Sequence, residues 1–484
     1  MRILFVTPET APYCKTGGLA DFSSALPDKL AERGHEVVVV TPRHSGIDVA
    51  TFDLRRKRVK LSVTIRGKTI QGGILEGQTP NGVTLWFVDQ PGYFERQGIY
   101  GREGKPHPDN DERFAYFCRA TLEACRQTTF APDIIHANDW PTGPLAPLLQ
   151  FEYRDRPELN ACGTVFTAHN LAHAGLFDPD AMMTLGLPWD LFTPDEMEFF
   201  GKVSYLKAGL VFADKLTTVS PRYAAEIQTA EFGRGFESLM RDRAEDLRGI
   251  LNGVDNRVWN PQTDPHIPSP FDQKNMEGKT EAKAQALQHA GLPLLQGQAL
   301  VSMVCPMTEQ KGIDLLLEAA EGLMHLDCQF ILAGRGDPKM EADLRDLADA
   351  QPHRVAYLPD CDEACAHRIM AGSDLWLMPS RFEPCGLTQM QAMLYGTIPL
   401  VHATGGLADT VDDPEDDPED ATGFTMPEAS ADALLAGLKR SLAAFSEKVI
   451  WRRMQENAMG LEFSWNLVAR RYEAIYKAAA ELRS

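Results

Sequence analysis

The chain has 484 residues, more than one hydrophobic core ordinarily organises, so two or three domains are expected. Apolar residues make up 44% and charged residues 24%, which fits a globular protein and excludes disordered, collagenous and fibrous classes. With 48 Lys and Arg against 68 Asp and Glu the net charge is −20, a field that repels nucleic acid and anionic membrane. A small anion held by a few local cations stays compatible with it.

No run of about 18 apolar residues is present, so no membrane span is expected. The first residues, Met1 to Thr7, pass directly into a strand-like run too short for a signal peptide. The nine cysteines include no CxxC pair, and buried free thiols in a reducing cytoplasm are the expectation. Cys361, Cys365 and His367 form a metal cluster only on paper, because no second pair at zinc spacing accompanies them.

Residues 2–7 (RILFVT) are continuously apolar, as in a strand buried on both faces. A turn-rich segment follows from Pro8 to Gly18, then a helical stripe of Leu19, Phe22, Leu26 and Leu30. Pro27 interrupts that stripe and predicts a kink. Gly34 ends the helix and Glu36–Thr41 is the next strand, completing a βαβ unit and predicting a parallel sheet. Further strands are expected at Asp133–His136, Thr164–Ala168 and Lys215–Val219. Around residues 251–261 turn residues crowd and periodicity is lost, which places a domain boundary there.

The second half restarts the alternation. Strands are expected at Ala299–Val304, Gln329–Ala333, Arg354–Leu358, Leu375–Met378 and Ile398–Val401. Helices are expected at Ile313–His325, near Glu363–Ala371 and from Gly386. The fold class is therefore α/β, with two doubly wound domains and a ligand cleft at their strand C-termini. The expected domains are 1–255 and 256–460, with a final helical segment, 461–484, returning toward the first. Residues 412–420 carry seven carboxylates and two prolines and read as a solvated loop.

Three segments suit an anionic ligand. Lys15-Thr16-Gly17-Gly18 precedes a helix start, where glycines admit a close ligand and free N–H groups face it. A plain structural turn is the other reading. Gln310-Lys311-Gly312 precedes a second helix, and Glu383-Pro384-Cys385-Gly386-Leu387-Thr388 opens a third. There a diphosphate on the N–H groups and sugar hydroxyls on Glu383 make chemical sense, while a simple helix cap is the alternative for Glu383. His169-Asn170 and His136-Ala137-Asn138-Asp139-Trp140 end strands and are expected at the cleft mouth. Asp109-Asn110-Asp111 and Asp178-Pro179-Asp180 match a loose DxD pattern that means little in so acidic a chain.

Taken in order, these segments resemble the bacterial glycogen synthase and plant starch synthase family of retaining glucosyltransferases. The matches begin with Lys15–Asp21, Asp109–Phe114, Asn138-Asp139-Trp140 and His169-Asn170-Leu171. They continue through Tyr205–Gly209, Val219-Ser220-Pro221, Leu251–Asp255 and Gln310-Lys311-Gly312. Ala366–Asp374, Pro379–Gln389 and Thr404–Val411 complete the set, which spans nearly the whole chain.

The resemblance implies the GT-B fold and a cytoplasmic enzyme that moves glucose from ADP-glucose to an α-1,4-glucan, with no metal or other cofactor. It implies that Lys15, Gly17, Gly18, Asn252, Lys311, Gly386, Leu387 and Thr388 hold the nucleotide sugar. His169, Glu383 and Lys311 would then be catalytic, with Asp21 and Asp139 on the acceptor side. Neither nucleic acid nor membrane is an implied partner.

Three positions depart from the family pattern. Pro306 stands where a diphosphate-binding arginine is expected, His173-Ala174 replace a Tyr-Gln pair, and Arg335 replaces a small residue. Arg335 is a candidate for the compensating cation. Two other readings accompany the leading one: a related retaining glycosyltransferase with another donor or acceptor, and a weakened paralogue that binds glucan or nucleotide sugar in a regulatory role.

Overall fold

The computed structural model describes residues 1–102 and 104–483; Glu103 and Ser484, which fall in the expected first domain and final segment, lie outside them. The chain divides into two compact units, Met1–Asn252 with the stretch from Trp465 onward, and Gly253–Ser464. The sequence places these boundaries after residues 255 and 460.

The first unit is built on a nine-stranded sheet. From one edge the strands run Leu247–Gly249, Lys215–Thr218, Gly163–Ala168, Ile134–Asn138, Arg2–Val6, Glu36–Pro42, Thr84–Asp89, Lys68–Gln78 and Arg55–Ile65. The first seven are parallel. Arg2–Val6 lies inside this set, and Ile3 to Val6 are fully buried, which is why that run lacks alternation.

The last two strands form an antiparallel hairpin that the βαβ reading does not contain. Its signal is present in Leu61, Val63 and Ile65, which alternate buried with exposed before the Arg66-Gly67 turn. Arg55–Ile65 is an edge strand, and its cations Arg55, Arg56, Lys57, Arg58 and Lys60 blunt that edge against pairing with another chain.

The helix Gly18–Glu32 buries Leu19, Phe22, Leu26 and Leu30 against this sheet. It runs through Pro27 without ending. Proline cannot donate to the Ser23 carbonyl four residues earlier. The buried Thr10 hydroxyl donates to it instead, at 3.2 Å. The terminal helix Trp465–Glu481 joins the same core through Trp465, Tyr472 and Tyr476. Its Glu473 accepts two bonds from Arg33 at 2.7 Å and one from His35 at 3.0 Å.

The second unit holds a six-stranded parallel sheet. Its order is Val355–Leu358, Cys328–Ala333, Ala299–Val304, Leu375–Met378, Ile398–His402 and Phe424–Met426. The expected helix Ile313–His325 is two shorter ones, Ile313–Glu318 and Ala320–Leu323. Gly322, a poor helix former, sits in the second and lets the side chain of Leu435 approach closely.

Two expectations need correction here. Cys361 and Cys365 form a disulfide, so not all nine cysteines are free thiols, and the paper metal cluster loses both sulfurs. His367 instead bonds Asp264 at 2.7 Å. The 412–420 loop is not uniformly solvated. Asp413 is buried and accepts from Thr425 N–H, Glu415 N–H and Arg440. Among the described residues no helix is long and apolar enough to cross a membrane.

Candidate active site

In the first unit the loop after the strand Arg2–Val6 carries Lys15 to Gly18. Buried Glu9 ties it down, accepting the Thr16 N–H at 2.5 Å, the Thr16 hydroxyl at 2.9 Å and the Tyr100 phenol at 2.7 Å. Gly17 is the N-cap of the helix and provides no side-chain cap for its first N–H groups. A Cβ at Gly17 would meet no protein atom within 4 Å. The protein's own packing therefore does not require glycine there; a close ligand would. Exposed Lys15 pairs with Asp21 at 2.7 Å. Glu9 and Tyr100 do not stand out in the sequence, because nothing local links residues 9, 16 and 100.

Asp139 and His169 follow neighbouring parallel strands. Asp139 adopts φ 56° and ψ 177°, a region almost reserved for glycine and worth about 1–3 kcal/mol of strain. Its carboxylate accepts the His169 N–H at 2.7 Å. Burial raises the Asp139 carboxyl to about 7, with the N–H groups of His169 and Asn170 opposing that rise and Glu9 adding to it. The Asn138 amide donates to the Val6 carbonyl at 3.1 Å, which leaves its oxygen for His169 Nε2 at 3.1 Å. Nε2 then carries the proton and Nδ1 is the acceptor. Burial lowers the imidazole to about 3, so His169 is neutral near pH 7.

His136 does not reach a cleft mouth. It is fully buried between Thr167 at 2.6 Å and Tyr476 at 2.8 Å, and serves the core. The two DxD segments are spent on ion pairs: Asp109 with Arg96, Asp111 and Asp180 with Arg66, and Asp178 with Lys202. Asn252 closes the first unit, buried, and its side-chain oxygen has no hydrogen-bond partner among the described residues.

In the second unit Lys311 and Glu383 meet beyond two strand ends, Nζ to Oε2 at 2.5 Å. The Ser380 hydroxyl donates to the same oxygen at 3.2 Å. Glu383 is thus an ion-pair partner and not the cap of the following helix. Burial pushes the Lys311 ammonium down, but the Glu383 charge and hydrogen bond outweigh it and raise its pKa. Leu387 precedes the helix Thr388–Leu394, and its apolar side chain provides no cap. Gly405 and Gly406 make the arrangement possible. A Cβ on either would stand 2.0 Å from the Glu383 or Cys385 carbonyl oxygen, so only glycines let the two loops abut.

Pro306 is exposed at the end of the strand Ala299–Val304. Its neighbour Met307 donates its N–H to the Arg335 carbonyl at 3.0 Å. The residue that replaces the expected arginine and the candidate compensating cation thus stand on two bonded loops. The Arg335 guanidinium is paired with Asp360 through contacts of 2.8 and 3.0 Å.

Comparisons with known proteins place the chain in a family. The family model described as starch synthase catalytic domain matches residues 2–242, and that of glycosyl transferases group 1 matches residues 285–456. A glycogen synthase of Anaeromyxobacter dehalogenans (strain 2CP-C) is 47% identical over 99% of this chain and 100% of its own. Glycogen synthase 2 of Geobacter sulfurreducens is 38% identical over 100% of both chains. The catalytic domain of starch synthase IV from Arabidopsis thaliana, solved with ADP and acarbose, superposes with a TM-score of 0.91 at 33% identity over 99% of each chain. With both units α/β, both family models matched and relatives aligned over their full length, the chain has the GT-B fold and belongs to the glycogen and starch synthase family of glycosyltransferases.

Proposed function

We propose that the chain transfers glucose from ADP-glucose, with retention, to the non-reducing end of an α-1,4-glucan in the cytoplasm. The observation that carries this reading is the Lys311–Glu383 pair beside an uncapped helix start. Lys311 has three N–H donors and gives one to Glu383, which leaves donors for a diphosphate. The N–H groups of Gly386 and Leu387 and the Thr388 hydroxyl stabilise the charge that grows on departing ADP. Lys15, Gly17 and Gly18 offer the same kind of donors from the first unit, and Asn252 an unspent amide oxygen. Oε2 of Glu383 takes Lys311 and Ser380, so Oε1 is the oxygen left for sugar hydroxyls.

Neutral His169 accepts a sugar hydroxyl at Nδ1 without placing a cation beside an oxocarbenium-like centre. Asp139 and Asp21 serve the acceptor side. Bound ADP in the starch synthase IV structure supports an adenine nucleotide as the donor's carrier. In this reading cations and N–H groups neutralise the leaving diphosphate, with no metal cofactor.

The test is purified protein with ADP-glucose or UDP-glucose and glycogen or maltotriose, following nucleotide release and chain growth. ADP release coupled to chain growth is expected. Glucan binding with no release from either donor would support the paralogue reading instead.

A further inference from the structure

The second unit carries an open groove of about 370 Å³, within the size range of small-molecule sites. It is walled by the segment 256–274 and by the C-terminal ends of the helices Thr388–Leu394 and Lys448–Gly460. The helix Thr388–Leu394 begins beside Glu383 and ends at this groove. Seven residues at 1.5 Å rise separate the two by about 10 Å along the helix. The groove is therefore a second place and not an extension of the Lys311–Glu383 site.

Its lining is specific in chemistry. Trp259 contributes a half-buried indole, and Asn256, Asn260, Gln262 and Gln273 contribute amides. Among the described residues Asp272 and Lys274 are the only charged side chains lining it, and they cancel. Nothing here selects an anion or a cation. A ring with an apolar face over several amides and one carboxylate suits a neutral ligand that has a C–H face and many hydroxyls.

The parts are held in place before any ligand arrives. The Trp259 ring stacks on His367 at 3.8 Å and 11°. His367 bonds Asp264 at 2.7 Å, and Tyr395 donates to the same carboxylate at 2.5 Å. On the polar wall, Asp272 accepts the Lys274 and Asn275 N–H groups at 2.8 Å and the Gln262 amide at 3.2 Å. The Gln262 N–H is held by Asn260 Oδ1 at 3.0 Å. Such fixed groups lose little entropy on binding.

We propose that this groove binds glucosyl units of an α-glucan at a point separate from the site of transfer. The identity of the sugar rests on the function proposed above; the neutral, polyhydroxylated class rests on the groove alone. A polymer held at two points gains avidity, which keeps a growing particle on the enzyme between transfers.

The test uses full-length protein and maltoheptaose as the probe. Maltoheptaose is expected to perturb tryptophan fluorescence in the parent and in Lys311→Ala, and to lose that effect in Trp259→Phe. In affinity electrophoresis through glycogen, Asn256→Ala/Gln262→Ala is expected to bind about tenfold more weakly, with unchanged turnover on maltotriose. This double variant changes only exposed residues and keeps the test valid if Trp259→Phe disturbs folding. Parental glycogen affinity in the double variant overturns the proposal, including the case in which the groove seats a peptide. Absence of glucose transfer by the parent, with the fluorescence and electrophoresis results as expected, overturns the function proposed above and leaves the groove assignment standing.

Discussion

Lys311 Nζ and Glu383 Oε2 lie 2.5 Å apart although 72 residues separate them in the chain. Both side chains are largely buried, and each is the main partner of the other. Breaking such a pair from one side strands a charge. Because the Lys311 side chain keeps 21% exposure, Glu383→Gln should cost about 1–3 kcal/mol in chemical denaturation, less than for a fully buried pair. Glucose transfer should fall on the order of 10²-fold or more. Turnover within twofold of the parent would remove Glu383 from the reacting centre.

Asp139 gives a pH signature. Its carboxyl is raised from 3.8 to about 7, so the stability tied to it is fully present below 3.8 and is lost as pH rises through 7. His44 and His169, lowered to about 4 and about 3, act oppositely, and their contribution is lost only as pH falls below 6.5. Lys279, lowered by burial to about 7, adds stability as pH rises past 7, so the Asp139 effect is read as a difference between two proteins that share Lys279. Unfolding free energy of the parent, relative to that of Asp139→Asn, should decline between pH 3.8 and about 7. Parallel curves would refute the assignment.

Arg335 and Pro306 stand on bonded loops, and this bears on the missing arginine. If Arg335 returns that charge, Arg335→Ala should lower turnover with ADP-glucose by about 10- to 100-fold, and Arg335→Lys far less. Asp360→Asn, which removes the nearer of the two carboxylates that pair with the guanidinium, should leave turnover equal or raised. Equal, mild effects from both Arg335 variants would mark it as a surface residue. Pro306→Arg should raise kcat only where Arg335 is absent.

Thr10 and Pro27 form a compensated pair. Thr10→Val leaves the Ser23 carbonyl without its donor and should cost about 1–2 kcal/mol. In a Pro27→Ala background the helix supplies its own N–H, and the same substitution should cost measurably less. A double-mutant cycle with no coupling would disprove the link.

Much of the fold is legible in the sequence, because buried parallel strands are continuous apolar runs. Arg2–Val6, Glu36–Pro42 and Ala299–Val304 stand out for that reason. The hairpin Arg55–Gln78 is harder to see, since one face is solvated and its cations hide the alternation. Lys15, Lys311, Glu383 and His169 are legible as chemistry at strand ends. The Glu9 clamp is not, because Thr16 and Tyr100 reach it from distant turns. His136 looks equivalent to His169 in sequence, yet His136 is core and His169 is only part-buried.

The sequence by itself determined the class of each half, the order of the motifs and the family they resemble, all of which depend on local pattern. Tertiary structure alone decided which charges meet. Lys311 is paired with Glu383, Arg335 with Asp360, and Asp139 holds the His169 backbone. The reason is physical: the energy of a charge depends on burial and on its nearest partner, and both come from residues far along the chain. A net charge of −20 excludes broad partners, but it says nothing about the few cations and N–H groups whose placement would bind an anion.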